Sequence, residues 1–523
     1  MNQAIPNALQ RAPALTLALA AFAAHAGSPN VMASCANAPS GRCGDRFDGA
    51  TILIVTSTAV AGPGTLRQAI IDANADANPN IIGFNISGSC PRTISLITAS
   101  PLPAITDSLS IRGYTQPGAS PNAAATADDA TICVQLRVSA GDSVAQGLRF
   151  TPTDVTDTFD VSGLSIGGFD DAIRIDGGNF TVGGNFIGVA ADGLTAVVNG
   201  YSGVRVAASN AYFATTRSIG GSDVAQRNLI SGNGTGVNLL GGGGTTVRGN
   251  FIGTTRGGSA PLPNIDGAYV ATLSNYFVDN VISGNDGSAI RLEGGNAAAN
   301  SVSNNRIGLK SFATCFPPPC TPDDALGNAG DGVRIAAGAA GNNIGGNAIA
   351  YNGGDGVSLP DAGPLNYISA NAMHDDGGLG IDLGADGVTP NDNDATAAAG
   401  APNRLLNFPM LDSAGGNDQG GIVNGYLEST NGTYAIDFYA DTLLDASLHG
   451  EGRDYLGSGE VTISNATAGN NGVGTFSLPV ATAGSLVGRH ISAVAIDADG
   501  NTSEFSEGRT FMLQDAIFAD GFD

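Results

Sequence analysis

Four arginines stand at the centre of short aliphatic triplets: Arg174 in Ile-Arg-Ile, Arg205 in Val-Arg-Val, Arg291 in Ile-Arg-Leu and Arg334 in Val-Arg-Ile. In an extended strand the aliphatic neighbours point to one side and the residue between them to the other. The four therefore predict a partial exposed ladder able to bind acidic sugars. In sister segments the same slot holds Asn238, Tyr269, Ser358 and Asp382, which is also what an outward slot filled with solvated polar residues looks like. A second candidate is the oxygen-rich neighbourhood of Asp375, Asp376, Asp382, Asp386, Asp392 and Asp394. Within it Asp376, Asp382 and Asp386 are candidate ligands of a structural Ca²⁺, a hard cation that takes carboxylate oxygens. Gly377-Gly-Leu-Gly-Ile-Asp-Leu383 fits one copy of a calcium nonapeptide. That motif shares each ion between tandem turns, so a single copy reads rather as an ordinary coil. Asp497, Asp499 and Asn501 alternate as calcium ligands do, and equally as a hairpin turn requires.

Other chemistries are missing. There is no phosphate-binding Gly-x-x-x-x-Gly-Lys loop. Trp is absent, which removes one sugar-stacking platform, although 11 Tyr remain. The formal net charge is −25, from 47 acidic against 22 basic residues. Nucleic acid is thereby excluded as a partner, since phosphate binding needs concentrated positive charge.

The elements that must position these residues are written as a repeat. Asn228-Leu-Ile-Ser-Gly-Asn233, Asn280-Val-Ile-Ser-Gly-Asn285 and Asn347-Ala-Ile-Ala-Tyr-Asn352 are each followed by a short alternating strand. A second line, Asn185-Phe-Ile-Gly188, Asn250-Phe-Ile-Gly253 and Asn305-Arg-Ile-Gly308, interleaves with the first. A period in the twenties without helical spacing or a Leu-rich consensus marks a parallel β-helix, one coil per repeat. Aliphatic positions two apart stack into core columns. The asparagines fit coil corners, where the residue tolerates left-handed backbone and its amide can bond the next coil. Residues 81–386 then make about twelve coils. Pro261 to Asp266 and Ser311 to Ala325 interrupt the repeat, as loops on one face do.

The ends read differently. Residues 1–26 have the layout of a secretory signal, with apolar Ala14 to Ala24 before Ala24-His-Ala26. That run is too short to span a bilayer, so the expectation is a secreted or cell-surface protein without a transmembrane segment in the mature chain, and a monomer. Six cysteines suit an oxidising compartment. Spacing suggests the pairs Cys35 with Cys43, Cys90 with Cys133 and Cys315 with Cys320, although six cysteines allow about fifteen pairings. Within residues 27–80, Thr65 is placed to N-cap a helix with Leu66, Ala69, Ile70 and Ala73 on one face. Such a helix covers the open end of a solenoid, whose unpaired edge would recruit other chains. Residues 387–404 read as a linker, 405–512 as a β-sandwich of alternating strands, and 513–523 as a tail.

Gly64-Thr-Leu-Arg-Gln-Ala-Ile70 resembles the Cys-Ser-Leu-Arg-Glu-Ala-Ile element that opens many exported bacterial right-handed β-helix proteins, keeping Leu66, Arg67, Ala69 and Ile70. Cys90-Pro-Arg-Thr-Ile94, Leu102-Pro-Ala-Ile105 and Ile111-Arg-Gly-Tyr-Thr-Gln-Pro-Gly118 are similar to that family's first coils. Asn407-Phe-Pro-Met-Leu411 and Ala495 to Ser506 resemble the module that follows such β-helices. The final Asp515 to Asp523 resembles a tail of exported gram-negative proteins, which implies a role in export or surface retention. The resemblance implies a fold and export, and it implies no reaction. The expected fold is all-β: a right-handed parallel β-helix of the pectate-lyase-like kind, with an N-terminal capping helix and a small Ig-like β-sandwich.

Polysaccharide-cleaving enzymes share that solenoid. Phe169-Asp-Asp-Ala-Ile173 superficially resembles the paired Asp of polygalacturonases, but their Gly-His-Gly and Arg-Ile-Lys signatures are absent, and no His lies between Ala26 and Met373. No catalytic residue is assigned. The leading expectation is a non-catalytic exported rod presenting a repetitive surface for adhesion or glycan binding, with an extracellular glycan or a cell-surface protein as partner. The alternative is a lyase or glycoside hydrolase acting on acidic polysaccharide, which needs two carboxyls across a cleft or a basic residue beside Ca²⁺.

Overall fold

Strands of three to five residues cannot bury their apolar side alone, so they must stack. In the computed structural model, which describes residues 47, 49–208, 216–312, 324–393 and 400–514, they do so in three parallel sheets. The first sheet has eleven strands, from Thr51–Val55 to Tyr367–Ser369; the second has ten, from Arg92–Leu96 to Ala372–His374; the third has nine, from Gln146–Phe150 to Ile381–Leu383. Each coil from Leu109–Arg112 onward contributes one strand to each sheet, giving a right-handed parallel β-helix. Eleven strands rather than about twelve result because the long corner excursions consume residues without adding coils.

The core is a set of columns. In the second sheet Ile166, Ile187, Ile230, Ile252, Ile282, Ile307 and Ile349 lie in register, with Met373 as the last rung. All eight are buried. Unbroken β-branched columns suit a pleated surface packed on its inner face.

Asparagines hold all three corners. One ladder runs Asn185, Asn228, Asn250, Asn280, Asn305, Asn347 and Asn371. The next runs Asn199, Asn233, Asn264, Asn285, Asn328, Asn352 and Asp376. The last comprises Asn275, Asn300, Asn342, Asn366 and Asn403. In most rungs the backbone N–H and Nδ2 both donate to Oδ1 of the next coil, as Asn280 does to Asn305 at 3.0 and 2.9 Å. Buried corner amides are thereby satisfied without water. Asp376 ends its ladder as an acceptor only, taking the backbone N–H and Nδ2 of Asn352 at 2.8 and 2.9 Å.

Both ends of the rod are closed. Helix α1, Leu66–Ala75, is N-capped by Thr65, whose hydroxyl accepts from the Gln68 N–H, and it buries Leu66, Ala69, Ile70 and Ala73. Arg67 donates to the carbonyls of Val60 and Pro101. Cys90 and Cys133 are joined across 43 residues; Cys35, Cys43, Cys315 and Cys320, with the leader and the tail, lie outside the described residues. Replacing Cys90 and Cys133 by serine is expected to destabilise by about 3 kcal/mol through regained loop entropy. Denaturant titration of variant against parent checks it, and equal midpoints would refute it.

At the other end two four-stranded sheets form a sandwich. Its long strands are Gly420–Ser429, Gly432–Asp441, Asp454–Ile463, Gly472–Ala481 and His490–Ile496. Tyr439, Val494, Ile496 and Phe505 belong to the same core cluster as the last coils. Asn403, in a stretch read as linker, is buried and extends the third corner ladder.

This junction is rich in carboxyls. Burial raises Asp376 well above its ordinary range and lifts Asp441 to about 6 and Glu451 and Glu504 to about 7. A carboxyl whose folded pKa exceeds its unfolded value gives stability that is complete below the unfolded value and lost as pH rises through the folded one. Backbone hydrogen bonds hold the exposed Asp142 and Asp154 low, so their contribution is lost in strong acid. Unfolding free energy is therefore expected to peak near pH 4 and to fall by at least about 3 kcal/mol towards pH 8. A stability that rises across that interval would contradict the assignment.

Candidate ligand-binding face

The outer side of the second sheet is covered. Its outward Phe186, Leu229, Phe251 and Val281 cluster with Ala130 and Ile132 of an excursion that crosses them. Arg227 donates to the carbonyls of Ala124, Ala125 and Ala127, and its guanidinium lies over the Phe251 ring. Arg256 donates to the carbonyls of Asp128 and Ala130. Among the described residues the third sheet carries no such cover from Arg149 to Arg334, whereas Ser358 and Asp382 further along are buried.

Two outward columns run along the third sheet. One is Arg149, Arg174, Arg205, Asn238, Tyr269, Arg291, Arg334, Ser358 and Asp382, in continuous register. The four arginines expected from sequence thus share one column, together with Arg149, which sequence reasoning missed. Three residues earlier in each strand lies the other column, which includes Asp171, Asp266, Asp331 and Asp355. These carboxylates cap backbone: Asp266 Oδ1 accepts the Ser288 N–H at 3.2 Å, Asp331 Oδ1 that of Asp355 at 3.1 Å, and Asp355 Oδ1 that of Leu379 at 2.8 Å. The chain enters each strand through a small residue, because a Cβ at Gly236 would stand 2.6 Å from the Gly267 carbonyl oxygen.

The remaining carboxylate oxygens hold the arginines. Arg149 and Arg174 meet Asp176 at 2.7 and 2.8 Å, and Arg205 meets Asp171 at 3.6 Å. Arg291 is held by Asp266 at 2.8 Å and Glu293 at 2.7 Å. Arg334 lies 3.5 Å from Asp331 and 3.9 Å from Glu293. Half-exposed pairs of this kind add little stability. What they do is orient the guanidiniums and remove any surplus of positive charge from the column: five arginines face seven carboxylates, counting Asp171, Asp176, Asp266, Glu293, Asp331, Asp355 and Asp382.

One place departs from that balance. Ser358 stands where a next arginine would be and donates to Asp331 at 2.7 Å. Burial, with Asp382 and Asp331 nearby, pushes the Asp355 carboxyl up to about 6. Burial also raises Asp382, which accepts the N–H groups of Asp386 and Gly387 at 3.3 and 3.0 Å.

The three candidate calcium ligands have separate places. Asp376 serves the corner ladder, with its Oδ2 buried and unbonded; Asp382 stands on the outward column; Asp386 follows the last strand. Among the described residues no group of three or more His, Cys, Asp or Glu is disposed to hold a metal. Asp497 closes a turn, accepting the N–H groups of Asp499 and Asn501 at 3.0 and 2.9 Å. Asp171, of the polygalacturonase-like pair, pairs with Arg205.

No family model and no curated protein matches the sequence. Among solved structures, the A-module of mannuronan C-5 epimerase AlgE4 of Azotobacter vinelandii is 15% identical, with a TM-score of 0.31 over 62% of this chain and 71% of that one. Pectate lyase Pel9A is 13% identical, with a TM-score of 0.26 over 62% and 72%. Tailspike protein gp49 of Acinetobacter baumannii bacteriophage Fri1, a capsular polysaccharide depolymerase, is 10% identical, with a TM-score of 0.29 over 90% and 82%.

Proposed function

We propose that this protein is an exported, non-catalytic rod that binds an extracellular glycan along the open face of its third sheet. The observation that supports the reading is the compensated ladder. Each arginine of the column is already held by a carboxylate, so the face offers fixed, directional donors and acceptors with no surplus of positive charge. Such a surface matches a polyhydroxylated chain better than a polyanion, which moves the expectation from acidic towards uncharged polysaccharide. Export rests on the signal-like leader. Among the described residues no helix is long and apolar enough to cross a membrane.

One observation favours a second reading. Asp355 is raised by burial and by the neighbouring Asp382 and Asp331, and Asp382, in register with Ser358 on the next strand, is raised by burial. Raised carboxyls are what a general acid requires. Purified mature protein incubated with neutral and acidic polysaccharides, with and without Ca²⁺, is expected to release neither new reducing ends nor unsaturated sugars. Product that disappears in Asp355→Asn would establish the hydrolase or lyase reading instead.

A further inference from the structure

The corner between the second and third sheets alternates. Every second coil leaves it through a longer excursion: two hairpins closed by the bridges Val189 to Ala196 and Thr254 to Pro261, and a segment whose ends meet at the bridge Leu309 to Ala325. The coils between turn at once, through Ser231-Gly-Asn233 and Ser283-Gly-Asn285. The excursions bond to one another over the short coils: the Arg256 N–H donates to the Gly193 carbonyl at 2.9 Å, and the Ser311 N–H to that of Gly258 at 2.8 Å. The short turns fit beneath because they carry glycine. A Cβ at Gly232 would stand 3.2 Å from that of Ala196, and one at Gly284 would stand 3.0 Å from that of Pro261.

Over the first short coil this alternation leaves a recess of about 330 Å³. Gly232 and Gly234 form its floor, Val198 and Gly200 one wall, Pro263 and Ile265 the other. Its apolar rim is open to solvent: Val198 is 63% exposed, Ile265 62%, and the adjoining Tyr201 64%. The ionic groups beside it are carboxylates. Asp286 lines it, and Asp170 Oδ1 lies 3.6 Å from the Cβ position of Gly200.

We propose that this recess is the subsite for one disaccharide unit of an uncharged β-1,4-linked polysaccharide whose chain runs parallel to the solenoid axis. The proposal rests on the glycan-binding reading and names the sugar class. The walls belong to long coils two strand spacings apart, about 9.6 Å, which is the length of one extended β-1,4 disaccharide. Val198 and Ile265 present apolar surface to the C–H faces of pyranose rings, and Tyr201 offers a ring on which a sugar can stack. Asp170 and Asp286 accept hydroxyl hydrogens and repel uronates. The recess opens onto the third sheet, so a chain leaving it continues along the compensated ladder.

The test is calorimetric titration of the full chain with cello-oligosaccharides and chito-oligosaccharides of two, four and six residues, and with hexagalacturonate as the acidic probe. The expected result is binding of one neutral series in steps per disaccharide, with hexagalacturonate unbound. Tyr201→Ala should weaken the hexamer about tenfold, and the double variant Val198→Asp, Ile265→Asp should abolish binding. All three positions are exposed, so unchanged thermal midpoints are expected of both variants. A neutral hexamer bound equally by parent, Tyr201→Ala and the double variant would overturn the subsite and leave the glycan reading standing, whereas a preference for hexagalacturonate would overturn the subsite together with the uncharged-glycan reading. Absence of binding to every sugar, extended to the polysaccharide panel, would overturn both.

Discussion

Asn280→Ala is expected to destabilise the protein by about 5 kcal/mol. Asn280 Oδ1 receives both the backbone N–H and Nδ2 of Asn250 at 3.0 Å, and its own Nδ2 donates to the Val247 carbonyl at 2.8 Å and to Asn305 Oδ1 at 2.9 Å. Alanine leaves two donors of Asn250 and the Val247 carbonyl short of partners in a place sealed from water. Each such loss costs about 1–3 kcal/mol. Asn280→Asp separates the amide's two roles. A carboxylate still accepts from Asn250 but has no proton for Asn305 or Val247. The aspartate must therefore protonate to be accommodated, its folded pKa rises, and the defect should grow from about pH 5 to about pH 8. Asp376 tolerates the acid natively because the last rung only accepts. Denaturant titrations at two pH values check both statements; a pH-independent Asn280→Asp defect would show that donation at this corner is dispensable.

Tyr439→Ala is expected to cost about 4 kcal/mol and to loosen the sandwich from the rod. Tyr439 is buried, packs edge-on against Phe505 at 5.1 Å, and accepts the Ala370 N–H on its hydroxyl at 2.9 Å. Ala370 belongs to the last coils, so one side chain joins the two units through packing and a hydrogen bond. Tyr439→Phe removes only the bond and should cost about 1 kcal/mol. Two separate unfolding transitions in Tyr439→Ala, against one in the parent, would identify the junction as the source of cooperativity. Equal costs for both substitutions would assign the whole effect to the hydroxyl.

Much of this architecture is legible in the residues because it is periodic. The isoleucine column follows from Phe-Ile-Gly and the x-Ile-Ser-Gly line, and two of the three asparagine ladders are the landmarks that define the repeat. The third ladder carries a signal that was overlooked: Asn275, Asn300, Asn342 and Asn366 each precede a landmark asparagine by five residues. Contacts across long separations leave no such trace. Arg227 reaches the carbonyl of Ala124 over 103 residues, and nothing local distinguishes it from a solvated arginine. The outward arginines were legible as a column, but their partners were not. Glu293 stands two residues from Arg291 on the same strand, but Asp266 stands in the preceding coil, and only the register brings it to Arg291 and leaves the ladder without surplus positive charge. The alternation of long and short corners is visible as two interleaved lines, while the recess it creates depends on how hairpins two coils apart close over a glycine.

The central claim is that the open face binds an uncharged glycan and leaves it intact. The most direct measurement is retention of the purified mature protein on immobilised neutral and acidic polysaccharides at low and high salt, with the eluate analysed for released sugar. Retention on a neutral polysaccharide that salt does not weaken, without released sugar, is the predicted result. Retention on an acidic polysaccharide that collapses as salt rises, as screening of surplus positive charge requires, would contradict it.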